Sequence, residues 1–137
     1  MPEPKKKKPY RGGPLVDNCP PTDAIATPNG IFLRLVRVNP PSSDDFRSGR
    51  AENKKQPKKC DDCTWMACSV WVETTPREKL GDLTKLPNLS DKKFVAHIQV
   101  NSSCGHIKPH AKDQQHISFW MYEEFEVENA VVKVESL

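Results

Sequence analysis

Apolar and polar residues alternate most cleanly at 31–38, IFLRLVRV. In an extended chain Ile31, Leu33 and Leu35 face one way, while Phe32, Arg34, Val36 and Val38 face the other. This period of two predicts a strand. Asn29-Gly30 supplies a turn before it. Pro40-Pro41 ends it, because proline has no N–H to give to a ladder. The loop that follows carries Asp44, Asp45, Arg47 and Ser48. Within it, Ser42 or Ser43 caps a short helical turn over Asp44, Asp45 and Phe46.

The same alternation returns along the chain. Over 65–72, Met66, Cys68, Val70 and Val72 share one face, and Trp65, Ala67, Ser69 and Trp71 the other. Over 94–100, Phe94, Ala96, Ile98 and Val100 form a core face opposite Val95, His97 and Gln99. Two more strands are predicted at 117–122 and 130–134. One segment has helical spacing instead: Leu80, Leu83 and Leu86 follow Thr75-Pro76-Arg77-Glu78. That run reads as an N-cap threonine, a proline at the first helical position and a capping-box glutamate. It predicts a helix over 76–85, stopped before Pro87. Segments 42–62 and 101–115 read as long polar loops. The expected fold is α+β, a small mixed or antiparallel sheet of about five strands with one main helix.

A chain of 137 residues supports one hydrophobic core, placed at 30–137. Residues 1–29 are basic and proline-rich and read as a flexible leader. No run of about 18 apolar residues is present, so no membrane span is expected. The N-terminus also lacks the apolar stretch of a secretory signal.

Charge divides the chain unevenly. Residues 1–59 hold 13 Lys/Arg against 6 Asp/Glu; residues 60–137 hold 8 against 12. The excess cations lie in the leader and in loop 47–59, two segments able to touch nucleic acid or an acidic partner, or simply to be solvated. The acidic segment 123–136 either solvates an edge strand or docks on the basic loop of a second copy, so the chain is expected as a monomer or a dimer.

Candidate chemistry sits at four places. Arg34, on a strand among apolar neighbours, needs a partner because a buried unpaired charge is costly. The partner is Asp44, Asp45 or a C-terminal glutamate, or else a phosphate or carboxylate ligand held by an arginine fork. Arg37 and Ser48 flank the same strand-to-loop element, and Ser69 on the next strand lies beside it. His116 opens a strand between a polar loop and bulky aromatics, placed to stack a ring or donate a proton. Finally, Cys60 and Cys63 have the C-x-x-C spacing of a tetrahedral metal half-site, completed by Cys104 and His106, with Cys68 and His110 in reserve. Zinc is the metal such a set would take; the alternative is a free loop cysteine pair that binds none. Asp61 and Asp62 argue against redox use of the pair, because negative charge raises a thiol pKa. The five cysteines, without a signal peptide, are expected as thiols or metal ligands in the reducing cytoplasm.

Four segments, RLVRVNPPSSDDF, CSVWVETTPREKL, FVAHIQV and HIKPHAKDQQHISFW, together resemble a group of small, largely uncharacterised bacterial proteins over about residues 31–122. That layout is similar to the small ADP-ribosyltransferase-like fold. The resemblance implies that Arg34 holds the pyrophosphate of NAD, with Arg37 and Ser48 near it. It implies that Ser69 positions the nicotinamide ribose. The family's glutamate near the last strands has Glu123, Glu124 and Glu126 as candidates here, or His116 in its place. A toxin or defence role comes with the same resemblance. The competing expectation is a non-enzymatic, zinc-stapled module that binds nucleic acid or an acidic partner through the leader and loop 47–59.

Overall fold

A computed structural model describes residues 8–52 and 54–137. Lys5 to Lys7, the start of the basic leader, lie outside the described residues. Among the described residues seven strands form one antiparallel sheet: β1 (Ile25–Ala26), β2 (Gly30–Val36), β3 (Cys68–Val72), β4 (Phe94–Val100), β5 (Gly105–Pro109), β6 (His116–Met121) and β7 (Val131–Ser136). Their spatial order is β1-β5-β6-β3-β2-β4-β7. Two short helices accompany them, α1 (Asp62–Trp65) and α2 (Arg77–Leu83).

The α+β class holds, with seven strands where about five are expected. The two additional strands are β1 and β5. β5 lies inside the predicted loop 101–115, and β1 lies inside the predicted leader. The sheet therefore begins at Ile25, ahead of the expected boundary at 30. Residues 9–11 also lie along the end of β6: the Arg11 N–H donates to Met121 O at 2.8 Å, and the Glu123 N–H to Pro9 O at 2.9 Å. Residues 65–67, expected in the second strand, close α1 instead, and the strand starts at Cys68.

The predicted faces explain the packing. Phe32, Val36, Cys68, Val70, Ala96 and Ile98 face a core closed by Phe46 and Val127, which come from two 3-10 turns. Leu33, Leu35, Trp71 and Val95 face the other way, beneath Leu80 and Leu83 of α2. Both sheet faces are thus covered around the centre. Ser42 precedes the turn Ser43–Phe46, as expected, and its N–H donates to Asp45 Oδ2 at 3.0 Å. The Thr75 cap is not made. Its hydroxyl donates to Val72 O at 2.7 Å, closing the turn after β3, and Pro76 takes the N-cap position.

The ladder between β2 and β4 runs over seven residue pairs. Between β2 and β3 only Phe32↔Val72 and Leu33↔Trp71 pair. Beyond them, toward Val36 and Cys68, the two central strands part. That fork positions the site.

Candidate functional site

Arg34 lies at the mouth of the fork. The residue is 8% exposed, and its guanidinium is bound to three backbone carbonyls. Nε donates to Asp45 O at 3.0 Å, Nη1 to Ser69 O at 2.8 Å and Nη2 to Arg47 O at 3.1 Å. The bond to Ser69 O stands in for the ladder that β2 and β3 no longer make. Neither Asp44 nor Asp45 pairs with Arg34 through its carboxylate. The buried Asp45 carboxylate serves Arg37 instead, accepting from its N–H and from Nε, both at 3.1 Å. Burial alone would raise the Asp45 carboxyl; the donors of Arg37 and Ser42 outweigh it and hold the group below its ordinary value.

The fork opens into a cleft of about 550 Å³. One wall is sheet: Ser69 and Trp71 on β3, His116 and Ser118 on β6, with His110 from the hairpin between β5 and β6. The other wall is loop and short helical turn: Gly49, Glu52 and Lys54, then Cys60 and, on α1, Trp65, then Leu89 of a 3-10 turn and Lys92. Arg34, Ser69 and His116 all line this cleft. Arg37 follows β2, is engaged with Asp45 and does not line this cleft. Ser48 lines a separate cavity of about 410 Å³, where its Oγ accepts the Ala51 N–H at 3.1 Å.

Ser69 and Ser118 are cross-strand partners on β3 and β6. Each hydroxyl meets an imidazole. Ser69 Oγ is hydrogen-bonded to His116 Nε2, and Ser118 Oγ lies 3.0 Å from His110 Nε2. The two rings are stacked on each other, 3.8 Å between centroids and 8° from parallel. The opposite face of His116 lies on Trp71, at 4.3 Å and 12°. His116 is thus clamped between two flat walls, which fix its plane. Lys79 closes the rim, donating to Gln115 Oε1 at 2.7 Å and pairing with Asp113 at 2.8 Å.

Burial, and then the neighbouring His110, push the His116 imidazole down to about 4. Burial lowers His110 as well. Both rings are therefore neutral at pH 7. A neutral His116 accepts the Ser69 proton at Nε2 when its own proton is on Nδ1. A hydroxyl bonded to a neutral, oriented imidazole in a cleft is the pairing that activates a serine as a nucleophile.

Comparison with known protein families, curated proteins and solved structures returns no match.

The four residues expected to hold zinc are not assembled. Cys63 is in a disulfide with Cys19. Cys60 opens to the cleft, Cys104 is buried against Asn101, and His106 Nδ1 faces the Tyr10 and Tyr122 hydroxyls at 3.1 and 3.4 Å. Among the described residues no three His, Cys, Asp or Glu side chains form a group able to hold a metal ion. The disulfide also corrects the expectation that every cysteine is a thiol or a metal ligand. The thiol of Cys60 is raised by burial and then by Asp61 and Asp62, in the direction their sequence implies. No helix among the described residues is long and apolar enough to cross a membrane.

Three cations of segment 47–59 are engaged within the molecule. Arg47 pairs with Asp44 at 2.6 Å, Lys54 with Glu52 at 2.8 Å, and Arg50 donates to Pro14 O and Gly12 O, both at 3.0 Å. Sequence pattern alone misses Glu52, Lys92, Trp71 and Ser118 as cleft residues, and places His110 only as a reserve metal ligand. Of these, His110 carried a signal: it precedes His116 by six residues, a spacing that a hairpin folds into contact.

Proposed function

We propose that the chain is a group-transfer enzyme that uses Ser69 as nucleophile and His116 as its base. The observation that carries this reading is the Ser69 Oγ–His116 Nε2 hydrogen bond inside a cleft large enough for a small ligand. As Ser69 Oγ attacks an electrophilic centre, His116 Nε2 takes the hydroxyl proton. The bond to the leaving group breaks, and His116 returns the proton to that group. Water then repeats the sequence with Ser69 as the group displaced. In serine triads a carboxylate orients the histidine. Here the Trp71 and His110 faces supply the orientation; the lowered proton affinity leaves the ring unprotonated and makes it a weaker base than an ordinary histidine.

A second reading places NAD in the same cleft. It is supported by Arg34, Ser69 and His116 lining one cavity, and by Glu52, which offers the carboxylate that 123–126 do not bring there. In that reading Ser69 and Glu52 flank the ribose from which nicotinamide leaves.

One experiment separates the two. Purified chain is incubated with a panel of activated esters and, separately, with NAD, and leaving group or nicotinamide is quantified. The nucleophile reading expects ester turnover that falls at least a hundredfold in Ser69→Ala and in His116→Ala. The NAD reading expects nicotinamide release that falls in Ser69→Ala and Glu52→Gln. Turnover that persists unchanged in Ser69→Ala overturns both.

A further inference from the structure

The loop-and-turn wall of the cleft holds a charge arrangement that Ser69 and His116 do not use. Lys92 follows the 3-10 turn Pro87–Leu89, and its side chain is 3% exposed. Its ammonium lines the cleft yet makes no hydrogen bond among the described residues. The nearest anionic oxygens are Glu52 Oε1 at 3.8 Å and Asp91 Oδ1 at 3.9 Å. Asp91 is more than half exposed, so water screens it. Glu52 is itself shared: Lys54 Nζ pairs with it at 2.8 Å, and Arg34 Nη2 is 3.9 Å away. Three cations thus face one well-buried carboxylate.

Such an imbalance is costly in a partly dry cleft unless an anion completes it. The groups are also fixed in advance. Three carbonyls hold Arg34, and the Asn88 carbonyl accepts from Lys54 at 3.1 Å. Arg34 and Lys54 each keep donors free beyond those bonds, and Lys92 Nζ makes no hydrogen bond at all among the described residues. Burial, its dominant influence, lowers the proton affinity of Lys92, as expected for an ammonium awaiting a counter-ion.

We infer that Lys92, with Arg34 and Lys54 around Glu52, is a subsite for the phosphate group of a small phosphorylated substrate. A phosphate monoester carries about two negative charges near neutral pH. The three cations leave a positive excess around Glu52, reduced but not removed by Asp91 beside Lys92, and a phosphate answers it with more charge and more acceptor oxygens than a carboxylate ligand. Arg34 joins this subsite to the reactive pair, since Nη1 sits on the Ser69 carbonyl while Nη2 turns toward Glu52. That the phosphate belongs to the substrate of Ser69 rests on the function proposed above; that the subsite binds phosphate does not.

The test is titration of the full chain with inorganic phosphate and inorganic pyrophosphate, read by calorimetry and by the thermal unfolding midpoint, against sodium chloride at matched ionic strength. A ligand that binds only the folded state raises the midpoint in a saturable way. The expected result is saturable binding by the parent chain, weakened at least tenfold in Lys92→Met and substantially kept in Lys92→Arg. Lys54→Met, on a side chain one-third exposed, weakens binding as well and covers the case in which Lys92→Met does not fold. Ser69→Ala binds phosphate as the parent does, so loss of serine chemistry and loss of the subsite read separately. A parent chain that responds to phosphate no more than to chloride overturns the inference. So does a folded Lys92→Met, or a Lys54→Met, that binds as tightly as the parent.

Discussion

At the scale of single residues, His116 owes its chemistry to where it is buried. In water its imidazole would be half protonated near pH 6.5. In the cleft it is held down to about 4, by burial first and by His110 second. The sign of the consequence is fixed. Between about pH 4 and pH 6.5 the unfolded chain binds more protons than the folded one, so stability rises with pH through that window. His116 alone accounts for about 2 kcal/mol lost between pH 7 and pH 5. His110, also lowered by burial, adds in the same direction. Asp45, Asp61, Asp113 and Glu135 are all held below their ordinary values, so their contributions fade only at lower pH. Urea unfolding at pH 7 and pH 5 checks this: the parent loses stability on acidification, and His116→Gln removes most of that slope. The same low value predicts ester turnover that stays flat from pH 8 to about 5, without the inflection near 7 of an ordinary histidine base.

At the scale of elements, the loop-and-turn wall of the cleft depends on α1, and α1 depends on its ties. Asp61 accepts the Thr64 N–H at 2.7 Å at its start. Trp120 Nε1 donates to Cys63 O at 3.0 Å from β6. Cys63 is bonded to Cys19, closing a loop across a sequence separation of 44. Constraint of the unfolded chain by a loop of that length stabilises by about 2–4 kcal/mol. Replacing both Cys19 and Cys63 by serine is therefore expected to lower the unfolding free energy by about that amount in denaturant titrations. Much of this level was legible beforehand. Of the strands with strict alternation, β4 spans the expected 94–100, and β2, expected over 31–38, spans Gly30–Val36 and leaves Val38 exposed beyond its end; each face of these strands meets its own apolar layer. β5 was not legible, because GHIKP offers one interior apolar residue, Ile107, and no period can be read from one. Its pairing is set by close approach instead. Gly105 has φ +150°, and a Cβ there would collide with the Trp120 carbonyl. Ser69, His116 and Arg34 were legible for the same reason as the strands that carry them. Lys92 and Glu52 sit on irregular backbone, and only the folded chain brings them together.

At the scale of the whole molecule, the cleft is a consequence of sheet topology. The two central strands pair over two residues and then part, so the sheet offers one wall, and residues 47–52, 54–65 and 83–92 the other. Arg34 ties the parted strands and the following loop together through three backbone carbonyls while Nη2 turns toward Glu52, so it both positions the cleft and edges the proposed anion subsite. Covalent trapping tests the central claim, the Ser69–His116 pair, most directly. The chain is treated with a fluorophosphonate, its intact mass is measured, and the modified peptide is mapped. The account predicts one adduct per chain, on Ser69, absent in Ser69→Ala and strongly slowed in His116→Ala. No adduct, or an adduct that survives Ser69→Ala, would contradict it.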